Sequence, residues 1–262
     1  MSDTTALKDY FDGRLARHLS ELITPHYTGF PAESFISAVE KRAPPFQLKA
    51  RVAVINSELR ESLPADYTEA LGILLQILGP ENETEEGMFT KGYYLMPVAH
   101  FVEVYGLEHF KLSMEAMYEI TKRHTSEYTI RPYLTNYPED SYQILEQWST
   151  DENAHVRRLV SEGTRPRLPW TKKTDVLKGD VQCNLALLER FLDDPSPYVR
   201  KSVANHLNDL TKSHPVLVVN WIQSRLDSGG PYMDRLARHG LRTLVKKEDA
   251  GALGVICALR EK

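Results

Sequence analysis

The segment Ser161–Trp170 carries residue types that suit contact with a nucleic acid. It places Arg165, Arg167 and Trp170 on a stretch stiffened by two prolines. Guanidinium groups pair with phosphates, and an indole ring beside them can stack on a sugar or on an exposed base. Trp170 could instead belong to the core, because Trp is often largely buried. The segment is therefore a candidate DNA contact, with these three side chains as the contacting groups.

Basic residues are concentrated around this segment although the whole chain has a net charge of −4. Residues 1–110 hold nine Lys and Arg against 16 Asp and Glu, whereas residues 111–262 hold 23 against 20. Such a patch can bind phosphates, but a solvated charged loop or Arg–Asp pairs between helices would give the same pattern. Residues 157–173 contain a single acid, Glu162, and six basic side chains that we predict to contact DNA: Arg157, Arg158, Arg165, Arg167, Lys172 and Lys173.

Two acids and one histidine are further candidates for chemistry. Glu127 lies in TSEYTIRPYL, and Asp209 lies with His206 in ANHLNDLTK. Glu127 could instead belong to a helix start with Ser126 as N-cap, Asp209 could be a surface residue at a helix end, and a lone histidine is often structural. No GxGxxG, Walker A, HExxH or GxSxG motif accompanies them.

The elements that must position these residues are helices. Apolar residues recur at helical spacing, as at Leu48, Val52, Ile55 and Leu59, while alternating strand patterns are nearly absent. Pro and Gly stand almost wholly between the periodic segments, and the acidic stretch 81–90 is expected to form a loop. The sequence therefore predicts an all-α fold.

The second half of the chain repeats itself. Residues 144–151 match 187–194, and Val156-Arg157-Arg158 matches Val199-Arg200-Lys201, both with an offset of 43; a looser third unit follows at an offset of 34. Helix pairs at such periods are typical of HEAT-like repeats, which must stack to bury their apolar faces. We therefore expect a right-handed superhelix, an α-solenoid, forming a single domain over residues 1–262 with its clearest repeats at 139–262. The Asp residues of the turns are predicted to cap the second helices, and Arg200 and Lys201 to join the DNA contacts on a concave face.

Other functional classes receive no support from the sequence. Cys183 and Cys257 lie far apart, and no Cys/His spacing suggests a metal site or a disulfide. No signal peptide and no apolar run of transmembrane length are recognisable. We expect a cytoplasmic monomer that needs no metal, no organic cofactor and no membrane.

Three stretches of the chain resemble the AlkC branch of the AlkC/AlkD family of alkylpurine DNA glycosylases. They are SEYTIRPYL at 126–134, HVRRLVSEGTRPRLPW at 155–170, and SVANHLNDLTK at 202–212 with RHGLRTLVKK at 238–247. The resemblance implies HEAT-like repeats that hold alkylated double-stranded DNA and remove cationic bases such as 3-methyladenine and 3-methylcytosine. AlkC-type proteins often carry an extra C-terminal immunoglobulin-like domain, and this chain resembles the shorter form without it.

The resemblance also implies roles for individual residues. Glu127 and Asp209 would be the active-site acids, which stabilise an oxocarbenium-like sugar and orient water without base flipping. Trp170 would lie against the sugar and backbone at the lesion, and Arg158 and Arg165 would contact the damaged strand. Two alternatives remain open: a DNA-binding HEAT-repeat protein without catalysis, and a protein-interaction scaffold.

Overall fold

A computed structural model of the protein describes residues 6–86, 91–227 and 230–260, and in these ranges the chain is helical with no β-strand. The prediction of an all-α fold is confirmed. The chain divides into two compact units, residues 1–132 and 133–262, with the short helix α7 (Arg131–Asn136) at the division. Whether the two units act as the single domain predicted from the sequence stays a prediction. Of the expected acidic loop, residues 81–86 are non-helical, and residues 87–90 lie outside the described ranges.

The first unit is built from helices that pack against one another through apolar stripes. Helix α1 buries Leu15, Leu19 and Ile23 on one face, which explains its packing on α2. Asp12 and Asp66 cap two of the helices through their side chains, at the positions where free N–H groups need an acceptor. Its helices are α1 (Gly13–Ile23), α2 (Ala32–Arg42), α3 (Leu48–Ser62), α4 (Tyr67–Gln76), α5 (Met96–Tyr105) and α6 (Phe110–Thr121).

The second unit contains the repeats found in the sequence. Helices α9, α11 and α13 pack side by side as the second helices of successive repeats, and α8, α10 and α12 are the first helices. Gly240 lets α13 come close to α11, because a Cβ atom at this position would lie 3.2 Å from Leu207 Cβ. The helices are α8 (Pro138–Trp148), α9 (Ala154–Gly163), α10 (Val181–Glu189), α11 (Pro197–Leu210), α12 (Pro215–Gln223), α13 (Met233–Gly240), α14 (Arg242–Lys246) and α15 (Ala250–Ala258).

The 43-residue repeat is visible in the turns between paired helices. Asn153 and Ser196 are the N-caps of α9 and α11, and each accepts from a backbone N–H two residues later. Asp151 and Asp194, in turn, accept the backbone N–H of these cap residues, both at 2.8 Å. The prediction that the Asp residues themselves cap the helices is therefore wrong by two residues, since Asp151 and Asp194 order the turn that precedes the cap.

Candidate functional site

The ends of α9 and α11 hold a buried cluster of charged side chains, called here the Asp209 cluster. At its centre, Arg165 Nε donates to Asp209 Oδ2 at 2.9 Å and Arg165 Nη1 donates to Glu162 Oε1 at 2.6 Å. None of the three residues is more than 7 % exposed. Arg165 thus bridges two carboxylates that are 47 residues apart in sequence and belong to neighbouring repeats.

Three further side chains complete the cluster at its edge. Ser202 Oγ donates to Glu162 Oε2 at 2.6 Å, Arg158 Nη2 lies 3.5 Å from Glu162 Oε1, and Lys212 Nζ donates to Asp209 Oδ1 at 3.0 Å. Burial alone would raise the pKa of Glu162, but the positive charges of Arg158 and Arg165 and the hydrogen bonds outweigh it and lower that pKa below its usual range. Glu162 therefore stays ionised, and so does the guanidinium that it pairs with.

Both oxygens of Asp209 are occupied, but by partners of different kinds. Arg165 is buried on the Oδ2 side, whereas the Lys212 side chain on the Oδ1 side is 33 % exposed. A buried ion pair gives up much hydration and adds little to stability compared with apolar packing. The cluster holds two carboxylates and three cations in fixed positions although their burial adds little to stability, and it is open to solvent at the Lys212 ammonium. Such an arrangement is typical of a preorganised electrostatic site.

His206 supports this cluster from within the core. Its side chain is fully buried; Nδ1 donates to the Ser161 carbonyl at 2.9 Å, and Nε2 pairs with the Asn184 amide at 3.1 Å. Burial lowers the pKa of His206 to about 4, so the ring is neutral at physiological pH. The prediction that His206 contacts DNA is wrong, because both ring nitrogens are used inside the protein and the ring has no access to solvent.

Among the described residues, Trp170 has the most exposed large aromatic side chain. Trp170 lies in the loop between α9 and α10 and is 69 % exposed. The alternative of a core role is therefore wrong. Its φ of +62° lies in the left-handed region, which an L-residue other than Asn or Asp rarely adopts. The buried Leu168 fixes the loop two residues earlier. An exposed indole on a strained backbone favours a contact with a ligand.

Two of the predicted DNA-contacting arginines are paired with carboxylates. Arg157 makes a bidentate pair with Asp194, with Nε and Nη2 at 2.7 and 3.0 Å from the carboxylate, and its Nη1 donates to the Asp151 carbonyl. Arg165 is committed to the Asp209 cluster. These pairs match the alternative of Arg–Asp pairs between repeats, and a DNA contact by either arginine stays a prediction.

The other basic candidates differ in how many contacts they make within the protein. The Arg158 side chain is only 13 % exposed and stacks on Tyr198 in addition to its pairing with Glu162. Arg167 donates to Ser213 Oγ at 3.3 Å, and Arg200 donates to the Asp194 carbonyl and stacks on Tyr232. Lys172, Lys173 and Lys201 are exposed. As DNA contacts, Arg158, Arg167, Arg200 and these three lysines stay predictions.

Glu127 is held in the first unit, between α6 and α7. It is 5 % exposed; Thr125 Oγ1 donates to its Oε2 at 3.1 Å, and its own backbone N–H donates back to Thr125 Oγ1. Ser126 does not cap a helix, because its hydroxyl donates to the Met117 carbonyl of α6. The structure thus orients the Glu127 carboxylate within its own unit, and its joint action with Asp209 stays a prediction.

Sequence reasoning missed Glu162, Ser202 and Lys212 as members of the site. Glu162 was visible as the one acid in a basic stretch, spaced four residues from Arg158 and three from Arg165, a spacing at which helical side chains meet. Lys212 follows Asp209 by three residues, just beyond the end of α11. These spacings are local signals, whereas the link from Arg165 to Asp209 is not.

The described ranges contain no helix with the length and apolar character needed to span a membrane. In the same part of the chain, no group of three or more His, Cys, Asp or Glu side chains is arranged as a metal site.

Comparisons with a family model, a known protein and a solved structure each gave a match. A family model described as "DNA alkylation repair enzyme" matches residues 122–246. An uncharacterized protein of Bacillus subtilis strain 168, YhaZ, is 37 % identical over 250 residues, which is 95 % of this chain and 67 % of the relative. The structure is similar to the Pseudomonas fluorescens alkylpurine DNA glycosylase AlkC bound to DNA containing an abasic-site analogue, with a TM-score of 0.85 and 33 % identity over 97 % of this chain and 68 % of that one. This similarity confirms the prediction of a HEAT-like repeat fold.

Proposed function

This chain belongs to the DNA alkylation repair enzyme family, and we propose that it is a DNA glycosylase that releases cationic N-alkylated bases from double-stranded DNA. Bases such as 3-methyladenine and 3-methylcytosine are the substrates that we infer. The observation that carries the proposal is the Asp209 cluster, a buried carboxylate site paired with cations, in a protein similar to AlkC bound to DNA.

The chemistry that we propose needs a negatively charged carboxylate and no general acid. N-alkylation gives the base a positive charge, so the base leaves readily and requires no protonation by the protein. The sugar that remains resembles an oxocarbenium ion, as in other glycosidic cleavages. Asp209 and Glu127 would stabilise this cation, and either could orient the attacking water. No metal or organic cofactor takes part in this scheme, and Trp170 would pack against the sugar and backbone at the lesion.

Recognition by charge makes base flipping unnecessary in this proposal. Enzymes that extrude a base read it in a deep pocket. Here a cationic base and its sugar would be attracted by carboxylates without leaving the duplex. Neutral bases would gain nothing from this attraction, which gives the site its selectivity.

Lys212 is the partner of Asp209 that can move away and make room for the sugar. Without DNA, its ammonium neutralises Oδ1, and because Lys212 is one-third exposed it can turn outward at little cost. We propose that DNA draws Lys212 to a phosphate and that the cationic sugar takes its place beside Oδ1. Arg165 stays on Oδ2 and keeps the carboxylate in position, since its guanidinium is fixed by Glu162.

The direct test is to incubate the purified protein with methylated duplex DNA and to identify the released bases. Release of 3-methyladenine and 3-methylcytosine, with abasic sites left in the DNA, is expected. Salt-sensitive DNA binding without any released base would favour a non-catalytic DNA-binding protein. Negligible DNA binding at physiological salt would favour a protein-interaction scaffold. A cytoplasmic monomer acting at the nucleoid remains our proposal for its setting.

A further inference from the structure

A groove of about 330 Å³ lies between α11 and α13 in the second unit, outside the Asp209 cluster. Helix α11 lines it with Arg200 and Lys201, and α13 lines it with Arg235 and His239. Tyr232, at the start of α13, forms part of the wall and carries the Arg200 guanidinium over its ring at 3.5 Å from the centroid. The groove is therefore basic on both sides and has an aromatic wall.

The cations of this groove lack the counter-ions that other arginines of the unit have. Among the described residues, Lys201 and Arg235 form no ion pair, and the nearby Asp234 is engaged with Arg238 at 2.6 Å. Elsewhere in the unit the pattern is pairing with carboxylates, as seen for Arg157, Arg165, Arg190 and Arg225. The difference separates the groove from the ion pairs that hold the repeats together.

His239 reports the resulting excess of positive charge. Its Nε2 donates to Asn205 Oδ1 at 3.1 Å, which fixes the ring at the groove. Burial, and then the positive charges of Arg242, Lys201 and Arg235, lower the pKa of His239. Cations that crowd together repel each other by about 1 kcal/mol at 4 Å in water and more where water is partly excluded. An anion in the groove would turn this repulsion into attraction.

We propose that this groove binds a phosphate of the DNA backbone at a distance from the lesion. The inference rests on the proposed function, because it takes DNA as the partner. Lys201 and Asp209 are eight residues apart on α11, which corresponds to about 12 Å along the helix axis. That distance is roughly three to four base-pair steps of 3.4 Å. The groove therefore holds a flanking phosphate, and Arg235, His239 and Tyr232 are binding residues in addition to Arg200 and Lys201.

The test measures how DNA affinity depends on salt in a Lys201→Gln/Arg235→Gln double variant of the full chain. Both side chains are exposed, so the variant should fold, which urea unfolding checks. Each lost phosphate contact should lower the slope of log K against log salt by about 0.9, or about 3.5-fold in affinity over a fourfold change in salt. The same measurement on undamaged duplex and on duplex with an abasic-site analogue should give equal changes, because the contact is to the backbone.

The matched control is Arg190→Gln, which removes an arginine paired with Glu146 at the end of α10. It should keep the wild-type slope. A double variant that folds and keeps the wild-type slope overturns the groove as a phosphate site, even if the wild-type protein releases alkylated bases. Conversely, a reduced slope in a protein that releases no base supports the groove and refutes the glycosylase instead.

Discussion

Replacing Asp209 by Asn is the most informative perturbation of the site, because it removes one charge and almost no volume. The Asn oxygen can accept a hydrogen bond from Arg165 or from Lys212, now 2.9 and 3.0 Å from the two carboxylate oxygens, but not from both. Its NH2 group would face the other cation. The variant therefore loses the ionic partner at one side and the negative charge altogether.

Two magnitudes follow for the Asp209→Asn variant. Breaking a buried ion pair from one side costs about 3–5 kcal/mol, and we expect the lower end because Lys212 can turn to solvent and Arg165 keeps Glu162. The loss of a preorganised charge at the reacting sugar should slow base release by about 10²–10³-fold. Both effects reduce the observed activity, so they must be measured separately.

The matched control is Asp194→Asn in the same unit. Asp194 is also buried, accepts two hydrogen bonds from Arg157 and one from the Ser196 N–H, and has no place in the proposed chemistry. Its replacement should therefore destabilise the protein by a similar amount and leave base release at the wild-type rate.

The assay is single-turnover release of a methylated base with protein in excess, under conditions where urea unfolding shows each variant to be folded. A catalytic role for the charge of Asp209 is refuted if Asp209→Asn retains a rate within about threefold of wild type. It is equally refuted if Asp194→Asn slows release as much, because the loss would then follow stability and not the charge at position 209.

Four further predictions test the remaining parts of the site. Glu127→Gln should slow base release by about 10²–10³-fold in the same assay, whereas Glu58→Gln, which changes another buried and paired acid of the first unit, should not. Lys212→Met should raise the single-turnover rate at saturating DNA by up to about fivefold, the value of a partly exposed ion pair of about 1 kcal/mol, and should weaken DNA binding; a slower rate would show that Lys212 must remain on Asp209. Trp170→Gly should relieve a left-handed backbone conformation that costs an L-residue about 1 kcal/mol. The free energy of unfolding should therefore stay the same or rise while base release falls. Trp170→Phe should keep more activity than Trp170→Gly, and equal activity of the two variants would argue against an aromatic contact. In the unfolded chain His206 binds a proton below its ordinary pKa of 6.5, whereas in the folded chain it does so only near its pKa of about 4. Its burial should therefore lower the free energy of unfolding by about 2 kcal/mol between pH 7 and pH 5, as measured by urea unfolding. The pH dependence should be smaller by this amount in His206→Gln, and an unchanged dependence would contradict the buried neutral ring.

The local features of this protein follow from its sequence. Apolar spacing predicts the helices, and the 43-residue offset predicts repeats whose turns have the same hydrogen bonds at Asp151 and at Asp194. These features depend on residues only a few positions apart, so a helical period or a turn motif is enough to reveal them. Trp170 could also be selected as a candidate because arginines precede it in the sequence, and Asp209 because its segment resembles a known family.

Only the tertiary structure decides which charged side chains are free and which are paired. Arg165 reaches Asp209 and Arg157 reaches Asp194 because stacking brings together residues about one repeat apart, and the sequence alone does not state which faces of two helices will meet. The same packing buries His206 and leaves Lys201 open to solvent, although only five positions separate them on α11. A side chain's exposure is set by the neighbouring helix, and that neighbour is known only once the repeats are stacked.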